Sequence, residues 1–512
     1  MRPEPTWREV AGFFAMGVGM FMAMLDVHIV ASSLADIKAG LRAGRDEISW
    51  VQTSYLIAEV VMIPLSGVLA RILSTRVLFT LSALGFTAMS AACASADSIE
   101  TMIVFRALQG FCGGAMIPLV FATAFTLFPG KRQHAVSAAM AMIVTLAPTL
   151  GPSLGGFITD QASWHWLFLV NVLPGCLVAL TVWSLIRVDQ GDPALLKRFD
   201  GLGLILMAVS LGTALYVLEE GPSRGWFDER NITLLSFVYM LTGLLFCWRM
   251  VVSTEPIVDL GVFANRGFLL GAFINSLLGV GLWGAVFLLP LFLSWVRGFN
   301  SLQIGVVMVV TGCFMFVSGP VAGFLAGKLG RGTMLAIGLG SLSVGVYSNS
   351  FLTAESSFFA LATPQAFRGI SIMFILIPAN ALALGELPVE KLKNASGLYQ
   401  LVHSLGGALS VALINGLLIR RIAEHESSLG TQLNLARPIV ETRMEELASA
   451  FTGLADGGQG AMALRTLTEL VRREALVLAF NDAFAVLAGA VGVALLALPL
   501  VIMKEMKVTL YR

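Results

Sequence analysis

Three ionisable residues sit inside long apolar runs, where a charge is costly unless it serves a purpose. Asp26 lies in the run 12–34, Glu59 in 50–70 and Arg106 in 101–123. A charged side chain at the centre of a membrane-spanning helix costs about 2.5–3.5 kcal/mol on insertion scales, so the default reading of such residues is functional. A carboxyl group that is charged in one setting and neutral in another can carry a proton, and a fixed guanidinium beside it can hold it ionised until the two separate. Asp26 and Arg106 fall at similar depths, which makes them natural partners. Each also has a structural reading: Asp26 as a hydrogen-bonded link to a neighbouring helix, Arg106 as a clamp on backbone carbonyls. Glu59 shares a helical face with Gln52 and Tyr55. It is either a second proton site or partner for cationic substrates, or a neutral carboxyl hydrogen-bonded to Tyr55 or another helix.

Other chemistries find little support. Gly151-Pro-Ser153-Leu-Gly155 spells the G-x-S-x-G of serine hydrolases, but that motif needs a strand-to-helix elbow and this one lies in an apolar span. The five histidines share no metal-ligand spacing, and His28 points roughly 200° around its helix from Asp26. His403, on one face with Tyr399, is a secondary candidate for proton or substrate contact, and Gln52, Tyr55 and Gln109 are candidate substrate contacts. Asp482, near the outer end of the last apolar run, suits an interfacial role. The five cysteines (Cys93, Cys112, Cys176, Cys247, Cys313) fall in apolar runs and read as packing residues. No metal or cofactor is expected, and an intramembrane enzyme or a sensor is disfavoured.

The elements that must position these residues are membrane helices. The chain is 57% hydrophobic and 13% charged with a mean hydropathy of +0.83, against about 25% charged in soluble domains. A net charge of +1 gives no case for nucleic acid. A span needs about 20 apolar residues, and fourteen such runs are present, the last at 476–503. Lys and Arg fix their orientation. Eighteen lie in the segments that are cytoplasmic if the N-terminus is inside, and six in the short outer loops. Seven more lie in 420–475, and two, Arg106 and Arg368, inside spans. Both termini are therefore expected in the cytoplasm.

A repeat divides the chain. Pro64-x-x-Gly67-x-Leu69-Ala70 recurs as Pro320-x-x-Gly323-x-Leu325-Ala326, an offset of 256. This predicts an N-terminal six-helix bundle over 1–190, two extra spans in 191–255, and a C-terminal six-helix bundle over 256–512 with a long extracytoplasmic loop at 420–475. The substrate site of such repeats lies near the midplane between the halves. Within 147–156, Gly151, Pro152, Gly155 and Gly156 crowd into one apolar stretch, which predicts close helix packing and bending at the outer gate.

Several segments resemble a known family. The stretch 147–156 looks like the fifth-span antiporter motif of the major facilitator superfamily, and Arg106-Ala-Leu-Gln109-Gly110-x-x-Gly113-Gly114 looks like its fourth-span Arg motif. Leu25-Asp26, Trp164-His-Trp166-x-Phe168-x-x-Asn171-Val-x-Pro174-Gly175 and Phe199-Asp200-x-x-Gly203 match as well. The resemblance is specific to the fourteen-span drug:proton antiporters of the EmrB/QacA type, closest to the EmrB-like inner-membrane pump subunits. It implies an all-α integral membrane protein that exports hydrophobic or amphipathic compounds across the bacterial inner membrane, driven by protons. An exporter of one dedicated metabolite or siderophore is the alternative. Two departures stand out. The turn after the second span, usually bearing an Asp and a second Gly, reads Gly67-Val-Leu-Ala-Arg71-Ile-Leu-Ser74, and the polar residues expected after Asp26 are replaced by His28 and Ala31.

In the loop 420–475, Val440, Met444, Leu447, Phe451 and Leu454 predict one amphipathic helix. Asp456-Gly-Gly-Gln-Gly460 is expected to break it before a second helix, with Leu467, Leu470 and Val471, runs into the last span. The apolar faces either pack on the membrane or the protein's own outer surface, or, as the resemblance implies, dock a periplasmic membrane-fusion adaptor leading to an outer-membrane channel.

Overall fold

The computed structural model describes residues 5–44, 47–128, 132–253, 256–385, 387–433, 437–450, 458–493 and 495. Its helices are α1 (Trp7–Ser32), α2 (Leu34–Leu41), α3 (Trp50–Leu73), α4 (Thr75–Ala94), α5 (Ile99–Leu127), α6 (Arg132–Gln161), α7 (Trp166–Leu169), α8 (Val172–Leu185) and α9 (Gly201–Glu220). They continue as α10 (Arg230–Val252), α11 (Arg266–Trp295), α12 (Ser301–Leu325), α13 (Arg331–Ser348), α14 (Phe358–Ala383), α15 (Val389–Gln432), α16 (Pro438–Ser449) and α17 (Gly458–Val493). Among the described residues thirteen helical segments are long and apolar enough to cross a membrane, with α7 and α8 forming one of them. With α6, which occupies the place of the fifth predicted span, they give a fourteen-span all-α protein.

Polar residues set where the helices start. Thr6 and Glu9 form a reciprocal capping box on α1, and Asn300 and Gln303 do the same on α12. The Asp200-x-x-Gly203 motif is also a cap: Asp200 Oδ1 accepts from the Gly203 amide at 3.0 Å. The same carboxylate takes Arg249 Nε of α10 at 3.2 Å, which fastens the two extra helices to each other. Beyond that, α9 docks on α3 through a Trp50–Tyr216 ring stack at 5.3 Å and a Ser49–Glu220 hydrogen bond of 3.0 Å. Most of α10 is exposed, as suits a helix facing lipid.

The second helix of the first six spans, α3, packs on the fifth of the last six, α15, and α12 packs on α6 in the reciprocal pairing. That exchange is what a repeat with an approximate twofold relation produces. The faces meet closely: a Cβ on Gly67 would sit 3.0 Å from the Lys393 carbonyl, and one on Gly397 would sit 3.0 Å from that of Ile63. At the basic end of this seam, Lys393 Nζ donates to the Ala70 carbonyl at 2.9 Å and pairs with Asp189. Toward the other end, His28 of α1 stacks on Trp283 of α11 at 5.2 Å.

Several expectations change. The fifth span extends beyond 136–158, and the crowded stretch 147–156 lies within it: α6 runs through Pro148 and Pro152 as one helix. Pro is tolerated in membrane helices where neighbouring helices satisfy the freed groups. Gly151 and Gly155 let α1 approach at His28 and Ile29, so close packing is their visible role. The sixth span is split into α7 and α8 around Val170 and Asn171, and a short helix, α2, fills the first outer loop. The thirteenth span does not stop at 419: α15 continues to Gln432, because no Gly or Pro ends the helix where its apolar character fades. Two helices, α16 and α17, fill the loop as expected, and Gly458, Gln459 and Gly460 form the first turn of the second. Phe451, Leu454 and Asp456 lie outside the described residues, as does the basic chain end beyond 495. Val440 of α16 is buried, and α16 packs on α17.

The turn between α3 and α4, which lacks the expected Asp and Gly, is closed differently. Asp189, arriving from beyond α8, accepts from the Thr75 amide and hydroxyl at 3.0 and 2.9 Å. Ser74 stands in the Gly position with φ 82°, a conformation that costs a non-glycine residue about 1–3 kcal/mol. Ser74→Gly is therefore expected to stabilise the detergent-solubilised protein by about 1 kcal/mol, read as a raised Tm in thermal unfolding.

Candidate functional site

The Asp26 carboxylate is fully enclosed by protein and held from two helices, α5 and α8. Its Oδ2 takes Nη1 of Arg106 (α5) at 2.5 Å, while Oδ1 accepts from Gln109 Nε2 at 3.1 Å and from Asn171 Nδ2 at 2.8 Å. Asp26 is 1% exposed and Arg106 0%. An isolated carboxylate would be intolerable there, whereas one paired with a guanidinium and two amide donors is fully coordinated.

Each member of the cluster is fixed by the next. Arg106 Nε donates to the Val51 carbonyl of α3 at 3.0 Å, and Nη1 also reaches Gln109 Oε1 at 2.7 Å. Its guanidinium lies 4.3 Å over the Tyr55 ring and 5.7 Å over Phe168, so its flat faces are covered by aromatic surface. Ser90 of α4 accepts from Gln109 and Asn171, both at 3.1 Å, and donates to the Phe168 carbonyl at 2.9 Å. The glycines of the Arg motif explain the approach of α5: Gly110 and Gly114 lie against the backbone of α3 at Tyr55 and Glu59. Splitting the sixth span frees Asn171 at the start of α8 to turn its amide onto Asp26. Arg106 thus combines both sequence readings, as ion-pair partner and as carbonyl clamp.

The remaining candidates are scattered around this cluster. Tyr55 donates to the Ala23 carbonyl at 3.2 Å, so the proposed bond to Glu59 does not form. Glu59 has neither a hydrogen bond nor an ion pair to any described residue and is only half-buried. Gln52 is likewise half-buried and its side chain bonds to none of them. His28, as its angular separation from Asp26 predicts, takes no part in the cluster. His403 is buried between α15 and α11, its Nδ1 3.0 Å from the Asn275 carbonyl. Asp482 pairs with Arg421 and His425 of α15. Asn171 and Ser90 were not singled out as site residues by sequence reasoning. Asn171 stood within a family-like motif, whereas Ser90 carried no signal.

Comparison with known proteins shows the family. Residues 16–411 match the model of the Major Facilitator Superfamily. The chain belongs to the major facilitator superfamily. This membership makes it a membrane transporter and not an enzyme. It is 38% identical to the colistin resistance protein EmrB of Acinetobacter baumannii, over 95% of this chain and 96% of that one. It is 28% identical to the multidrug export protein EmrB of Escherichia coli, over 93% and 92%. The crystal structure of the human organic anion transporter MFSD10 shares the fold at a TM-score of 0.60 and 13% identity, covering 97% of this chain and all of that one.

A buried pair is more sensitive to the loss of one charge than of both. Arg106→Met is expected to destabilise the protein by about 3–5 kcal/mol and Asp26→Asn with Arg106→Gln by less, compared by thermal unfolding in one detergent. Asn171→Ala should cost about 1.5–3 kcal/mol, the range for a hydrogen bond to a charged group.

Proposed function

We propose that this major facilitator exports hydrophobic and amphipathic compounds of several kinds across the bacterial inner membrane in exchange for protons. The buried Asp26–Arg106 pair carries this reading, being an ionisable couple enclosed within the spans and held ready on five helices. The relatives' names, multidrug export and colistin resistance, support an efflux pump of multidrug type. The charge bias supports termini in the cytoplasm. The bundles 1–190 and 256–512 are the moving bodies, with 191–255 inserted between them.

In the ionised state Arg106 neutralises Asp26 and ties α1 to α5. When a proton from outside reaches Asp26, the charge attraction disappears and a neutral carboxyl must find an acceptor for its O–H. Gln109 and Asn171 can supply one by turning their amides, which offer oxygen as well as N–H. The network is thus able to settle in two arrangements, and a change between them shifts α1 and α5 relative to α8. Inward movement of one proton down a membrane potential supplies about 2.3 kcal/mol per 100 mV. No cofactor is needed, because the proton gradient is the energy source.

Substrate passes between the halves. Along the α6–α12–α14 seam, Met142 and Met373 both approach Gly319, and flexible thioether side chains suit ligands of varied shape. Glu59, half-buried and without a partner among the described residues, serves cationic compounds. On the outer side, α16 and the extensions of α15 and α17 form the surface for a periplasmic adaptor and, through it, an outer-membrane channel.

Dye efflux driven by an imposed proton gradient in vesicles tests the coupling. Asp26→Asn should lower it about tenfold or more, equivalent to at least ~1.4 kcal/mol; a variant that pumps like the parent removes Asp26 from the proton path. Glu59→Gln should weaken transport of a cationic dye by about tenfold, one lost ion pair in a low-dielectric setting, while a neutral dye is still exported. Deleting α16 should abolish adaptor recovery in a pull-down, and undiminished recovery refutes that docking surface.

A further inference from the structure

Arg368 of α14 is the second arginine within a span, and unlike Arg106 it meets no carboxylate among the described residues. The side chain is 2% exposed. Its Nη2 donates to Thr311 Oγ1 at 2.8 Å and lies 3.7 Å from Met308 Sδ, both on α12. Its Nε and Nη1 have no partner among the described residues. Nor can the last six spans supply a countercharge from within. Residues 267–295, 302–325, 332–348 and 358–383 contain no Asp or Glu, and neither do residues 394–419 of α15. In the last span, residues 476–493, the sole acid is Asp482, already paired with Arg421 and His425. A guanidinium in this position carries a full charge and three N–H donors toward a place with nothing to receive them.

That place borders the path between the halves. On α12, Gly305 and Gly319 face α6, at Ser153 and Met142, while Thr311 and Ser318 face α14. At about 100° per residue, Met308 falls between those two directions, so the guanidinium that touches it stands at the edge of the α6–α12–α14 seam. Ser153, one turn outward across the seam, also has a hydroxyl with no partner among the described residues. Arg368 lies ten residues from the start of α14, about 15 Å along the helix, too deep for a lipid headgroup.

We propose that Arg368 is an anion-recognition site, taking the carboxylate of an amphipathic compound whose apolar body lies along the methionines of the seam. The assignment rests on the exporter reading above. The ligand provides what the protein withholds: a countercharge and two oxygens matching the fork of Nε and Nη1. The transporter then handles cations at Glu59 and anions at Arg368, on opposite halves.

The test uses the full-length protein in proteoliposomes with an imposed proton gradient, and two probes: radiolabelled 2-naphthoate as the anion and ethidium as the cation. Arg368→Gln is expected to lower naphthoate transport about tenfold or more, the scale of one charge-assisted pair, and to change ethidium transport less than about twofold. Equal loss of both probes, or loss of neither, overturns the proposal, as does a parent that moves ethidium but not naphthoate. A parent that moves neither overturns the exporter reading, and the proposal falls with it. A second variant guards against misfolding of the first. Thr311→Asp places a carboxylate against Arg368, so it should raise the Tm and abolish naphthoate binding in equilibrium dialysis; parent-like binding in that variant refutes the site.

Discussion

A carboxylate and a guanidinium, both removed from water and from lipid, set the terms for the first half of this molecule. Neither is tolerable alone in that position, so the helices around them must supply donors, acceptors and aromatic cover at fixed distances. The glycines of α5 exist at their spacing because Arg106 has to lie against α3. The interruption of the sixth span exists where Asn171 has to turn onto Asp26. A cluster whose every member is fixed by another rearranges as a unit, and that is the property a coupling device requires.

The two halves share an ancestry of pattern and differ in electrostatics. In the first, the buried cation has a resident partner and the network is nearly saturated. In the second, the buried cation on α14 faces a thioether and a hydroxyl, and polar atoms of Trp283, Gln365, Asn380 and Tyr399 have no partner among the described residues. One half therefore holds its charges in balance internally, and the other holds polarity in reserve. For the proposed exchange of a proton for a varied cargo, this would divide the work: the fixed chemistry to one bundle and adaptable recognition to the seam and the other bundle.

Much of this was legible in the sequence because a charge in an apolar run is conspicuous. Asp26, Arg106 and Arg368 announce themselves in that way, and the Pro-x-x-Gly repeat revealed the duplication. Neutral partners are less visible. Asn171 and Ser90 look like any small polar residues until the break between α7 and α8 and the approach of α4 place them. Helical period correctly put Tyr55 and Glu59 on one side of α3, yet the neighbours of α3 decide what each touches, and those are tertiary. The significance of Arg368 was hidden because it depends on an absence spread over six helices. Hydropathy likewise marked where the apolar run of α15 ends but not where the helix stops, since helices end at breakers and caps and not where their polarity changes.

That unbroken helix has a mechanical meaning. From 420 to Gln432 the thirteenth span continues beyond the apolar run, for about 20 Å at 1.5 Å per residue, and it is braced against α17 by Arg421, His425 and Asp482. A loop in its place would absorb any tilt of the span as slack. A stiff, braced rod instead converts rotation inside the membrane into sideways travel at its tip, as an oar does outside its rowlock. Whatever rests on that tip can register each turnover of the pump as a push.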